Sequence, residues 1–114
     1  MGVSDMRFDH AQHVQGVTPD MYRRRAVEFL AKPSTWTAAM DLRMFEALGR
    51  GDGVDVIGAK MVLAPSDVTR RYRAWRDHLT DYSRDYIPLA AQSVVFEVLR
   101  EAAPVLMFRS RRVH

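Results

Sequence analysis

Residues 65–80 constrain this chain more than any other stretch. At a helical 100° per residue, Val68, Tyr72, Trp75 and Leu79 fall within about 60° of one another, a narrow stripe that only a packed interior would satisfy. Opposite them lie Ser66, Arg70, Arg73 and Asp77, with Thr69 and Arg76 on one flank and Arg71 on the other. Pro65 suits the first position of such a helix, because its missing N–H has no intrahelical partner there, and Asp67 sits where the positive end of the helix favours an acid. A helix with one apolar stripe must bury it against others, so the rest of the chain is expected to build a helical core around it.

The neighbouring segments carry the same period. Thr18-Pro19-Asp20 reads as a helix start, with Tyr22, Ala26, Val27, Phe29 and Leu30 on one face and Arg24, Arg25 and Glu28 on the other, ended by Pro33. Ser34-Thr35 is expected to cap a second helix running to Leu48. Its residues Trp36, Ala39, Met40, Leu42, Met44, Phe45, Ala47 and Leu48 surround most of its circumference, interrupted by Asp41, Arg43 and Glu46, which places it centrally. Gly49 suits a left-handed stop. The Gly49–Gly53 run follows a helix rather than a strand and lacks the Gly-Lys-Ser/Thr ending of a phosphate loop. Asp55 to Met61 forms a short helix, and Val62-Leu63-Ala64 the turn before Pro65. In that short helix Gly58 beside Ile57 lets the following helix approach closely.

After a polar stretch at 81–85, Pro88 opens a last helix. Ala91, Val94, Val95, Val98, Leu99 and Ala102, with Phe96 at the edge, cover more than half of its surface. This 89–103 helix is a candidate surface for a homo-oligomer, unless the first helix covers it. Beyond Pro104, Val105–Phe108 has strand character, and Arg109, Arg111 and Arg112 make a basic end. The expected organisation is a mobile N-terminal arm at 1–18, a helical domain at 19–103 and a basic C-terminal tail at 104–114. His10 and His13 in the arm are spaced for metal ligation on a helix, but two histidines alone read better as solvated side chains.

Charge and composition narrow the chemistry. A net charge of +3 understates local clustering: residues 21–34 hold Arg23, Arg24, Arg25 and Lys32 against Glu28 alone. Such patches suit a polyanion. The chain has no cysteine, which excludes disulfides and thiolate metal sites and fits the cytoplasm. No apolar stretch is long enough for a membrane span. No nucleophile–base spacing or carboxylate pair points to an enzyme, and no cofactor or metal site is expected. His78, beside Asp77 at the edge of the buried stripe, reads as structural rather than catalytic.

Ile57-Gly58-Ala59-Lys60-Met61-Val62-Leu63 followed by Asp67-Val68-Thr69-Arg70-Arg71-Tyr72 resembles the bacterial and phage helix-turn-helix pattern Ile-Ala-x-x-Leu-Gly-Ile/Leu-Ser-x-x-x-Val-x-x-Arg. With Trp36, Leu42, Phe45 and Leu48 upstream it also resembles the homeodomain-like arrangement, over residues 35–80. Val62 stands at the usual turn glycine and Ala64 at the usual capping serine, which implies a turn of different shape. The resemblance implies an all-α fold: a three-helix helix-turn-helix core with an N-terminal amphipathic helix and a C-terminal helix. It implies a transcription regulator that binds double-stranded DNA. Ser66, Thr69, Arg70 and Arg73 are the expected base contacts; Lys60, Arg71 and Arg76 are the expected phosphate contacts. Two other readings use the same features. One is a DNA-packaging subunit of the phage small-terminase type. The other is a protein-interaction module whose Arg helix meets an acidic surface of the transcription machinery.

Overall fold

A computed structural model describes residues 17–113, with side chains described for residues 17–103. It contains five helices and no strand among the described residues: α1 (Pro19–Ala31), α2 (Ala38–Gly49), α3 (Val54–Met61), α4 (Pro65–Thr80) and α5 (Leu89–Val113). The expected all-α class holds. The arm at 1–16, with His10 and His13, and the side chains of the basic tail lie outside the described residues.

Local chemistry accounts for most of the helix ends. Thr18 Oγ1 accepts from the Met21 N–H at 3.3 Å and Pro19 occupies the first turn, so α1 starts where the hydroxyl–proline pair predicts. The start of α2 differs from expectation. Its cap is Thr37, whose Oγ1 accepts from the Met40 N–H at 3.2 Å, while Ser34 instead closes a small turn by accepting from the Trp36 N–H. Three hydroxyls in four residues compete for one role, and spacing cannot rank them. The left-handed glycine after α2 is Gly51 at φ +91°, not Gly49, which is the last helical residue. The strand expected at 105–108 does not form, because α5 continues through Pro104 to Val113. Proline removes one intrahelical hydrogen bond, and the strong helix formers on both sides (Glu101-Ala102-Ala103, Leu106-Met107) carry the helix past it.

The core sits where α5 packs along α1 and α2 while α4 closes over α1 and, through α3, joins α2. Val68, Trp75 and Leu79 of the α4 stripe are fully buried. Trp75 lies against Phe29 of α1, ring centroids 4.3 Å apart, and edge-on to Phe45 of α2 at 5.6 Å. Such aromatic pairs add about 0.5–1.5 kcal/mol each beyond their buried area. Tyr72 completes the stripe differently: it is half-buried and its hydroxyl accepts from the Ile87 N–H at 3.0 Å, tying the 81–88 connection to α4. On α1, Tyr22, Ala26 and Phe29 are buried but Val27 is exposed; on α5, Ala103 is buried and Ala102 is not.

The turn between α3 and α4 is three residues long, Val62-Leu63-Ala64, and reverses the chain with a left-handed residue at Val62 (φ 59°, ψ 48°). The Leu63 N–H reaches back to the Gly58 carbonyl at 2.8 Å, satisfying one carbonyl at the end of α3. A β-branched residue in this conformation is unfavourable by about 1–2 kcal/mol. The Val62 side chain is 89% exposed, so no packing compensates. Val62→Gly is therefore expected to stabilise the protein, by about 0.5–1 kcal/mol after the greater unfolded-state freedom of glycine is subtracted. Thermal unfolding should show a midpoint a few degrees higher; a lower midpoint would mean that the valine side chain has a partner.

Candidate nucleic-acid interface

α4 stands as a ridge with a groove on either side. On the α1 side, an open groove of about 550 Å³ is lined by Lys32 and Glu28 of α1's end and by Arg70, Arg73 and Ala74 of α4. A second depression of about 390 Å³ continues it toward Ser34, Thr35 and Trp36, sharing Arg70 and Ala74. On the other flank, about 480 Å³ lies between α4 and the ends of α2 and α5, lined by Thr69, Arg73 and Arg76 among others. Arg73 borders the grooves on both sides.

The residues expected to touch DNA divide into two groups. Ser66, Arg70, Arg73 and Lys60 are exposed, and Thr69 is half-buried on the flank. Arg73 makes no ion pair among the described residues. Arg70 pairs with Asp67 at 3.0 Å, with its own side chain 75% exposed, and Lys60 approaches Asp52 at 3.5 Å. Exposed pairs of this kind are worth about 0–1 kcal/mol, so both cations are available to a stronger anion.

Arg71 and Arg76 are placed differently. Arg71 points inward: its Nε and Nη2 donate to Asp41 Oδ1 and Oδ2 at 2.8 and 2.7 Å, and its guanidinium lies 4.6 Å from the Phe29 ring centroid and 5.7 Å from that of Trp36. Its Nη1 also donates to Ser34 Oγ at 3.3 Å. Arg76 donates from Nε and Nη2 to Asp77 Oδ1 and from Nη1 to the Asp85 carbonyl, clamping the 81–88 connection. Both guanidiniums are thus occupied within the chain. Arg25 is likewise committed, to the Leu79 carbonyl at 2.6 Å and to Asp81 at 2.8 Å, where it satisfies the end of α4.

His78 lies in the wall of the α1-side groove, 5.4 Å from the Phe29 ring. Its Nδ1 is 3.5 Å from Lys32 Nζ and its Nε2 is 3.8 Å from Glu28 Oε1. Burial pushes its pKa below the usual histidine value, the neighbouring Lys32 ammonium pushes the same way, and Glu28 opposes them. The neutral ring, with Nδ1 accepting from Lys32, is the form this geometry favours. Among the described residues no three His, Asp or Glu side chains come together in a way that could hold a metal ion.

Comparison with known protein families, with curated proteins and with solved structures found no match to the chain. The geometry of the α4 ridge therefore carries the functional argument alone.

Sequence pattern did not find two features of this surface. The Asp41–Arg71 pair joins residues 30 apart on different helices, and helical period is blind to such partners. The 32–35 connection beside α4 has no period at all; its signal is composition only, a Lys, a Ser and a Thr between two helices.

Proposed function

We propose that the chain binds double-stranded DNA by inserting the α4 ridge into the major groove, with α3, the turn and α4 acting as a helix-turn-helix. The observation that carries this is the exposure of Ser66, Arg70 and Arg73 on one outward strip of a helix whose opposite side is locked by Val68, Trp75 and Leu79. A ridge bounded by grooves admits duplex edges on both sides, and a rigidly seated helix holds its arginines where a guanine O6/N7 pair can be read bidentately. Arg70 and Arg73, with Ser66 and Thr69, are the base-reading set, and Lys60 is a phosphate contact. Arg71 and Arg76 are removed from the phosphate set because their donors are occupied internally.

A bacterial or phage transcription regulator is the simplest protein of this kind. The packaging-subunit reading and a dimeric regulator both call for an oligomerising surface on 89–103. In this chain Ala91, Val94, Val95, Val98, Leu99 and Ala103 are already buried, and α5 packs along α1 and α2. A protein-interaction module would use the same arginines but would not enrich a DNA sequence.

Selection from random duplex DNA is expected to enrich a defined site. Arg73→Ala should weaken binding to it about tenfold or more and relax the preference at one base pair while leaving the rest of the site unchanged. No enrichment even at low salt, or an unaltered site and affinity in the variant, would overturn the reading.

A further inference from the structure

Once the internally committed cations are set aside, three of those that remain share one groove, while Lys60 lies in a different cleft. Lys32, Arg70 and Arg73 all line the α1-side groove. Lys32 caps the end of α1, where the negative end of the helix favours a cation; it is exposed, and the group nearest its ammonium there is His78 Nδ1 at 3.5 Å, with no carboxylate in ion-pair distance among the described residues. Directly along the chain, Ser34 and Thr35 line the adjoining depression together with Arg70 and Ala74.

Ser34 is held in a specific way. Its Oγ accepts from the Trp36 N–H at 3.0 Å and from Arg71 Nη1 at 3.3 Å. With both acceptor positions used, its own O–H is left to donate outward, from an exposed residue. Arg71 is anchored in turn by Asp41, so the buried ion pair fixes the orientation of a surface hydroxyl.

We infer that the 32–35 connection is the phosphate-binding element that works with α4, Lys32 supplying the charge and Ser34 a preorganised hydroxyl donor to the same backbone strand. Phosphate contacts of this kind set the register of a helix on the duplex without reading sequence. The inference rests on the DNA-binding reading and assigns Arg71 a positioning role: it acts on phosphate through Ser34.

The test is a salt titration of the wild-type chain and four variants on the DNA site enriched by the wild type. Lys32→Ala should lower the magnitude of the slope of log affinity against log salt by about 0.9, the value for one phosphate contact on duplex DNA, with the selected sequence unchanged. Lys32→Arg should restore the slope. Ser34→Ala should weaken binding several-fold with the slope retained, since a neutral donor releases no counterion. Arg100, which stacks on the Phe96 ring of its own helix α5 and lines neither groove of α4, provides the control: Arg100→Ala should keep the wild-type slope. A wild-type slope in Lys32→Ala, or an equal loss in Arg100→Ala, overturns the inference while DNA binding stands. Failure of the wild type to enrich any DNA overturns both.

Discussion

Asp41→Ala is expected to lower the unfolding free energy by about 3–5 kcal/mol, the usual cost of leaving one member of a buried ion pair without the other. Asp41 is fully buried and the Arg71 side chain is only 10% exposed. Two parallel N–H···O bonds at 2.7–2.8 Å join them, and the aromatic faces of Phe29, Trp36 and Trp75 surround the guanidinium within 6 Å. Removing the carboxylate leaves a largely buried cation that these rings attract only weakly, about 0.5–2 kcal/mol each. Arg71→Lys should also destabilise, because an ammonium cannot reproduce the fork or the flat stack. The informative variant is the double substitution Asp41→Leu with Arg71→Met. It removes both charges and should recover much of the loss, since an apolar pair of similar volume avoids both desolvation penalties. Urea unfolding of the three variants measures this; a cost below about 1 kcal/mol for Asp41→Ala would mean that the pair behaves as a surface bridge. The double variant also separates stability from binding. It restores the fold but not the hold on Ser34, so its affinity for DNA should remain below that of the wild type.

This pair also marks where sequence reading stops. The α4 stripe was legible because burial on a helix repeats at a fixed angle, and Val68, Trp75 and Leu79 sit where the angle puts them. The same rule read Asp41 as a polar interruption of α2 and Arg71 as a flanking, solvent-facing cation. Each reading follows from considering one helix at a time. A charge pair across two helices inverts both, and nothing in either helix's own period announces it. Arg76 shows the same limit on a smaller scale: beside its neighbour Asp77 it is held by the Asp85 backbone carbonyl, which has no sequence signature. The exposed part of the candidate interface was legible for the opposite reason. Ser66, Arg70 and Arg73 lie farthest from the stripe, where the one competing neighbour, Asp67 beside Arg70, makes only an exposed pair.

Gly58→Ala is expected to destabilise by about 2–3 kcal/mol, although helix propensity alone predicts a gain of about 1 kcal/mol. Gly58 lies within α3, and a Cβ built there would stand 2.6 Å from the Leu63 carbonyl oxygen, 3.3 Å from the Pro65 nitrogen and 3.4 Å from the Ala64 carbonyl carbon. All three are backbone atoms of the turn and of the first residue of α4, so no side-chain rotation relieves the contact. The Leu63 N–H bond to the Gly58 carbonyl holds the turn against this face, and a methyl group must push it away. Gly49 provides the comparison. It ends α2, a Cβ there meets nothing within 4 Å, and its φ is ordinary, so Gly49→Ala should be neutral or stabilise by a few tenths of a kcal/mol. The same substitution at two helical glycines should thus shift the thermal midpoint in opposite directions. A midpoint in Gly58→Ala equal to that of Gly49→Ala would show that the turn moves freely, and then the position of α4 could not depend on it. If the turn is as tight as these distances make it, Gly58→Ala displaces the N-terminal end of α4, where Ser66 and Arg70 project. DNA affinity should then fall even at temperatures where the variant is fully folded.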